Sequence, residues 1–491
     1  MKPFLSKHYP ILLILILGFL FRAWRFSALY GYGHEQDLQN FIIKDILVDH
    51  HPRLIGQETS ITGVFIGPLY YYVLAIFFFV FSMNPLAVFI PITTISMATL
   101  VSIYWVTNDL YSKQAGIIAS FVYAVSPVVF MLDRWVVPTQ PTLLWIVWFY
   151  WVLVHFSRSN FKVLPVLVVL IALIWHIHIA FVPLLLLLPI AMIMNKKSFK
   201  KIQKQNTKYL LISGLIAFAL LTPLVVFEMR HGFSQTQALL TASYSGGMYA
   251  EVRTGYYKLY VIAKNIDRVL LEPFVQKRIF PFGLIIAAAT LFIFYLKKII
   301  ARGETLLITI WVGSQFVIHF FSKRALTEYY FNNLLMLSII VSAVALSKLA
   351  HSKTTKIILA IIAAFSIFSS YGFLKNTRAV GEYKDKSAAV AFIAQDAAEN
   401  SYPCVAINYI GPIGVEFGYR YLFWHKDVAL ISSGNDLPVY SIVRPAQISE
   451  SEIAQRFGDI GVILPAQQIE VNPEICTTPT RQLLPLNGFV N

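Results

Sequence analysis

Glu35 and Asp37 stand two residues apart in Gly33-His34-Glu35-Gln36-Asp37, at the head of a stretch that puts Leu38, Phe41, Ile42, Ile46 and Leu47 on one helical face. Two carboxylates at a helix start can supply a general base, hold a metal ion or cap the helix, and the spacing alone leaves all three open. Arg53, Arg134, Arg230 and Arg324 each border an apolar segment, where a guanidinium either holds a phosphate or snorkels to the interface. His176 and His178 point about 200° apart if both are helical, and can share a ligand only in an extended turn. Glu228, Arg230 and His231 close one apolar segment, and Lys323, Arg324, Glu328, Tyr329 and Tyr330 open another. Both groups suit an anionic ligand or an ordinary interfacial ion pair and aromatic belt. Glycines beside aromatics in Gly63 to Tyr72 (GVFIGPLYYY) either admit a ligand close to the backbone or serve turns.

The elements that must position these residues are set by composition. Of 491 residues, 57% are hydrophobic and 13% charged, about half the charged share of a soluble domain. This excludes a soluble globular enzyme, a disordered chain and a disulfide-framed scaffold, and predicts a polytopic α-helical membrane protein. The net charge of +15 belongs to cytoplasmic loops and phosphate-facing side chains rather than to nucleic acid. Apolar windows fall near 9–29, 86–107, 115–132, 141–156, 209–227, 279–296, 304–321, 331–347 and 356–373. The apolar run 163–194 is long enough for two short helices turning at His176 and His178, which gives about eleven spans.

Loops at 108–114, 156–162, 195–208, 297–303 and 348–356 carry about fifteen Lys/Arg in about 44 residues, so they are read as cytoplasmic. The seven Lys/Arg of 228–278 run against that rule unless they meet anions. Counting outward from 196–208 puts the N-terminus inside and makes 67–83 a juxtamembrane helix; the alternative is a true span with the N-terminus outside. The first apolar segment is an uncleaved anchor, because Arg22 and Arg25 follow it where a cleavage site would need small residues. Residues 1–373 thus form the membrane domain. Residues 374–491 form a small external α/β domain, with helical stretches at 386–399, 414–424 and 449–457 and strand-like runs at 403–409, 438–443 and 460–464. Cys404 and Cys476 share that domain and are the chain's two cysteines, so a disulfide is expected.

The order of these motifs resembles the GT-C superfamily of membrane glycosyltransferases. It runs from HEQD at 34–37 and Gly67-Pro-Leu-Tyr-Tyr-Tyr72 through Ser126-Pro127, Asp133-Arg134 and Trp135 to Pro141, to Glu228-Met-Arg-His-Gly232. More narrowly, residues 1–350 are similar to the bacterial branch related to protein O-mannosyltransferases and the lipid A aminoarabinose transferase. The resemblance implies a polyprenyl-phosphate-linked sugar as donor, chemistry on the outer face of the cell membrane, and juxtamembrane helices in the first external loop. The acceptor would be a glycan, a lipid or a protein. Glu35 falls at the position of the family's principal acid, as catalytic base, with Asp37 in reserve. His34, Arg53, Tyr70, Arg134, Gln140, His178, Glu228, Arg230, Arg324 and Tyr329 are the corresponding candidates for substrate contact. In the second external loop, where relatives carry Asp or Asn near a proline, this chain has Thr139 and Gln140, with Asp133 upstream. A divalent cation (Mg or Mn) is therefore left open. A transporter or flippase of a lipid-linked sugar is the alternative function, although no internal repeat of the kind such carriers show is visible.

Overall fold

The computed structural model describes all residues except 1, 195–206, 243–250, 276–278, 324–325, 351, 379–381, 435, 444–451 and 490–491. Most of the basic loop 195–208 thus lies outside the described residues. Apolar segments fold as helices because the bilayer core offers backbone N–H and C=O groups no partners but one another. Among the described residues, five helices are long and apolar enough to cross it: Pro85–Leu110, Thr207–Arg230, Arg302–Phe321, Glu328–Leu349 and Lys353–Asn376. The bent pair Lys113–Val125 and Pro127–Asp133 makes a sixth if it counts as one span. Shorter apolar helices, Tyr9–Ala23, Leu69–Val80, Thr142–Ser157, Phe161–Ile177, Ile179–Ile193 and Phe282–Lys297, complete a polytopic α-helical bundle.

Two breaks shape one end of this bundle. The apolar window 115–132 is broken into two helices meeting at 69°, rather than one continuous helix. Pro127 has no N–H to give and excludes helical backbone at Ser126, which is extended at φ −65° and ψ 121°. The run 163–194 divides at His178, extended at φ −168° and ψ 129°, whose Nδ1 accepts from the backbone N–H of Ala180 at 3.0 Å and starts the following turn. Leu69–Val80 has 12 residues and so rises about 18 Å, well short of about 30 Å of hydrocarbon.

The C-terminal part lays the helix Tyr383–Glu399 on a four-stranded sheet of β1 (Ala406–Ile410), β2 (Val439–Val443), β3 (Gln455–Phe457) and β4 (Ile460–Ile463), in the order β1-β2-β4-β3. β1 and β2 are parallel, and β4 runs antiparallel to both β2 and β3. Ala389, Val390 and Ile393 of the helix pack on Tyr440, Ile442 and Val462 of the sheet, all fully buried. Two expected helices are corrected. Of 414–424 only Arg420–His425 is helical, because Gly414 and Gly418 take φ of +93° and +84°. Of 449–457, the last three residues are β3, paired to β4 through Gly458 at φ +57°, and 449–451 lie outside the described residues.

Cys404 and Cys476 are disulfide-bonded, with Cα atoms 5.7 Å apart and 72 residues between them in sequence. A loop of that length predicts that reduction, or Cys404→Ser, lowers the stability of this domain by about 2–4 kcal/mol. Limited proteolysis with and without reductant checks this as faster cleavage within 402–489.

Candidate active site

The helix His34–Leu47 starts where Gly33 donates its N–H to Gln36 Oε1 at 2.9 Å, while Gln36 Nε2 donates to the Val136 carbonyl at 2.9 Å. The glutamine between the two acids thus ties the helix His34–Leu47 to the loop that follows Pro127–Asp133. Its neighbours diverge, since positions 35 and 37 point to different sides of one helical turn. Asp37 turns toward the C-terminal domain and is 1% exposed, accepting the backbone N–H groups of Arg420 and Tyr421 at 3.1 and 3.2 Å. Burial raises its carboxyl to about 6 against the opposing pull of those two N–H groups. Lys386 reinforces the joint by donating to the Tyr32 and Phe417 carbonyls, each at 2.6 Å.

Glu35 faces the other way, into a cavity of about 300 Å³ lined with Gln57, Glu58, Thr59, Ser60, Trp135, Thr139, His178, Thr327, Tyr329 and Tyr330. Its carboxylate is open to the cavity, and among the described residues no hydrogen bond or ion pair holds it. Desolvation by the surrounding wall raises its pKa above the ordinary glutamate value, with His34 pulling the other way. A free carboxylate with a raised pKa is what a general base requires.

Beside this cavity lies an apolar groove of about 620 Å³ between helices Leu69–Val80, Thr142–Ser157, Leu164–Ile177 and Thr207–Arg230. Pro138 and Ile177 belong to the walls of both spaces. Tyr70 lines the groove, and its hydroxyl is buried with no hydrogen-bond partner among the described residues. The wall is fixed by His176, whose Nε2 donates to the Leu220 carbonyl at 2.9 Å while its ring lies against Gly67, where a Cβ would come within 2.1 Å of Nδ1. Gly67→Ala is therefore expected to displace the imidazole and cost about 1–3 kcal/mol, measured as a lowered Tm of the solubilised protein.

Two solved structures share this arrangement of chain. ArnT from Cupriavidus metallidurans bound to undecaprenyl phosphate is similar at 10% identity and a TM-score of 0.60, covering 94% of this chain and 99% of that one. The fold is that of the GT-C membrane glycosyltransferases. The same protein in its apo state matches the GT-C fold of this chain at 10% identity and a TM-score of 0.58, covering 94% and 98%. The family described as Dolichyl-phosphate-mannose-protein mannosyltransferase matches residues 66–227. No curated protein sequence matches the chain.

Within the GT-C fold, Glu35, His178 and Tyr329 meet at the cavity, Gln140 lines a small annex of it, and Tyr70 lies in the groove. The other described candidates do not line the cavity. His34 lies beyond the cavity wall, donating from Nε2 to the Asn487 carbonyl at 2.9 Å and lining a separate pocket with Asp37. Arg53 is ion-paired with Asp45, and Arg134 donates to the Phe21 carbonyl at 2.7 Å and to that of Trp24, closing the C-terminal end of the first helix. Glu228 accepts from Gln235 N, Thr236 N and Thr236 Oγ1 at 3.0, 3.2 and 2.7 Å, so it caps the helix Ser234–Ala242. Arg230 is exposed, and Arg324 lies outside the described residues.

The sequence reading missed Glu58, which accepts the Gly63 N–H at 2.5 Å across a tight loop with Gly63 at φ +79°. Its one signal was the polar run Gln57-Glu58-Thr59-Ser60 in the loop that leads to the apolar helix Leu69–Val80. No group of three or more His, Cys, Asp or Glu able to hold a metal ion occurs among the described residues. Glu35 and Glu58 are the carboxylates that line the cavity among the described residues.

Proposed function

We propose that the chain is an integral membrane glycosyltransferase that moves a sugar from a polyprenyl phosphate to an acceptor on the outer face of the cell membrane. The observation that carries this is the junction at Pro138 and Ile177, where a carboxylate-bearing polar cavity adjoins an apolar groove within the helix bundle. A polyprenyl chain in the groove sets its phosphate near the Tyr70 hydroxyl and its sugar in the cavity. Glu35 removes the proton of an acceptor hydroxyl as that oxygen attacks the anomeric carbon; the bond from that carbon to the phosphate oxygen breaks, and polyprenyl phosphate leaves. One displacement with one base inverts the anomeric carbon. The acceptor is a glycan, a lipid or a protein.

The same reading assigns eleven spans, an internal N-terminus, a membrane domain of 1–373 and an external domain of 374–491. The 12-residue length of Leu69–Val80 supports a juxtamembrane place for 67–83. The disulfide supports an oxidising compartment for the C-terminal domain. The test uses undecaprenyl phosphate carrying a radiolabelled sugar, with the full chain in proteoliposomes and envelope extract as acceptor. Label passing from donor to acceptor, with release of undecaprenyl phosphate, is the expected result. Intact donor appearing in the opposite leaflet with no cleavage would replace this reading with that of a flippase.

A further inference from the structure

Residues 137–143 and 176–181 each present two sides. Pro138, Pro141, His176 and Ile177 line the apolar groove, while Thr139, Gln140, His178 and Phe181 line an annex of about 30 Å³. The annex shares Trp135, Thr139, His178, Tyr329 and Tyr330 with the Glu35 cavity. That volume suits one small polar group, since a water needs about 10–15 Å³ on the same measure.

Its polar wall is specific. Gln140 is 8% exposed; its Nε2 faces the Ile92 carbonyl at 3.5 Å and Ser96 Oγ at 3.4 Å. The Ile92 carbonyl can only accept, which assigns Nε2 as the donor end and leaves Oε1 as the end that is buried without a partner among the described residues. His178 is also 8% exposed, and its Nδ1 accepts the Ala180 N–H at 3.0 Å. A neutral imidazole accepting at Nδ1 carries its proton on Nε2, and burial, which lowers the pKa to about 4, keeps the ring neutral. Gln140 and His178 both line the annex, so its wall holds one residue with an unmet acceptor among the described residues and one with a donor, the complement of a hydroxyl, which is both.

Resting on the reading of the cavity as the donor site, we infer that the annex receives one hydroxyl or hydroxymethyl group of the transferred sugar, which donates to Gln140 Oε1 and accepts from His178 Nε2. The donor is favoured over the acceptor because the groove and the annex are two sides of the same short segments, so a lipid-anchored sugar lies against 139–140 and 178. An analogue lacking that hydroxyl leaves Gln140 Oε1 buried and unpaired, which makes the annex a specificity determinant.

The test measures binding by the full chain in nanodiscs of undecaprenyl phosphate carrying mannose, glucose, galactose or arabinose, followed by the monodeoxy series of the best-bound sugar. One deoxy position is expected to weaken Kd by about 10–100-fold in the native chain. Gln140→Leu reduces that penalty to under about threefold and leaves the other positions unchanged. Gln140→Met, similar in length and volume, replaces it should the leucine variant fail to fold. A flat deoxy series in the native chain, or the same penalty surviving in the variant, overturns the annex. Transfer alongside a flat series removes the annex alone, whereas a deoxy penalty without cleavage of the sugar–phosphate bond removes the transferase reading alone. Failure to bind any of the four counts against both.

Discussion

Glu35→Gln is expected to lower the transfer rate by about 10²–10⁴, equivalent to about 3–5 kcal/mol of barrier, with little change in Tm or in donor Kd. Glutamine keeps the shape and hydrogen bonding of the side chain but cannot take the proton, and the carboxylate it replaces carries no structural hydrogen bond or ion pair among the described residues. The base acts deprotonated, and its pKa is raised, so the acid limb of the rate profile should fall away at a higher pH than for an ordinary glutamate. Asp37→Asn is the matched control, because Asp37 touches the backbone of Arg420 and Tyr421 rather than the cavity. It should keep transfer within about tenfold, since asparagine still accepts one of the two N–H groups. With its pKa raised to about 6, Asp37 favours the folded state most below about pH 4 and loses that contribution as pH rises through about 6. The asparagine variant should therefore compare better with the native chain in Tm at pH 8 than at pH 5. Retained turnover in Glu35→Gln together with loss in Asp37→Asn would move the base to Asp37.

Asp133→Leu is expected to destabilise the bundle by about 3–5 kcal/mol rather than to act on chemistry. Arg22 and Asp133 are 1% and 3% exposed; Arg22 Nε donates to Asp133 Oδ2 at 2.7 Å, and the Tyr123 hydroxyl donates to Oδ1 at 2.9 Å. This pair pins the short helix Pro127–Asp133 after its 69° bend, so it also aims the loop that carries Trp135, Pro138 and Thr139. Removing the carboxylate strands a buried guanidinium. The double variant Arg22→Leu/Asp133→Leu strands none and should recover most of the loss. Thermal unfolding of the solubilised single and double variants measures the difference. Equal destabilisation in both would show that the ion pair is not what holds this corner.

The long apolar helices were legible because apolar length needs no tertiary information, and the strands of the C-terminal domain because runs such as Val439–Val443 are rich in β-branched residues. The break at His178 could be placed because 163–194 is too long for one span. The bend at Ser126 was missed although Pro127 announces it, since hydropathy averages across a proline. At the site, Glu35 could be named from its place at a helix start, but its divergence from Asp37 depends on which neighbours each face meets. Likewise nothing local distinguishes an arginine that closes a helix end, as Arg134 does, from one that holds a phosphate. Asp133 is the opposite case: a carboxylate near a proline-rich loop reads as chemistry until its partner 111 residues away is known.

A structure of the chain with a bound undecaprenyl-phosphate sugar tests the central claim most directly. The prenyl chain should lie between Leu69–Val80, Leu164–Ile177 and Thr207–Arg230, with the sugar in the Glu35 cavity. The anomeric carbon should stand where an acceptor oxygen can approach to about 3–3.5 Å while hydrogen-bonded to Glu35. A chain lodged instead in the separate apolar cavity beside Phe274, Leu291 and Val341, with the sugar remote from Glu35, would contradict the account.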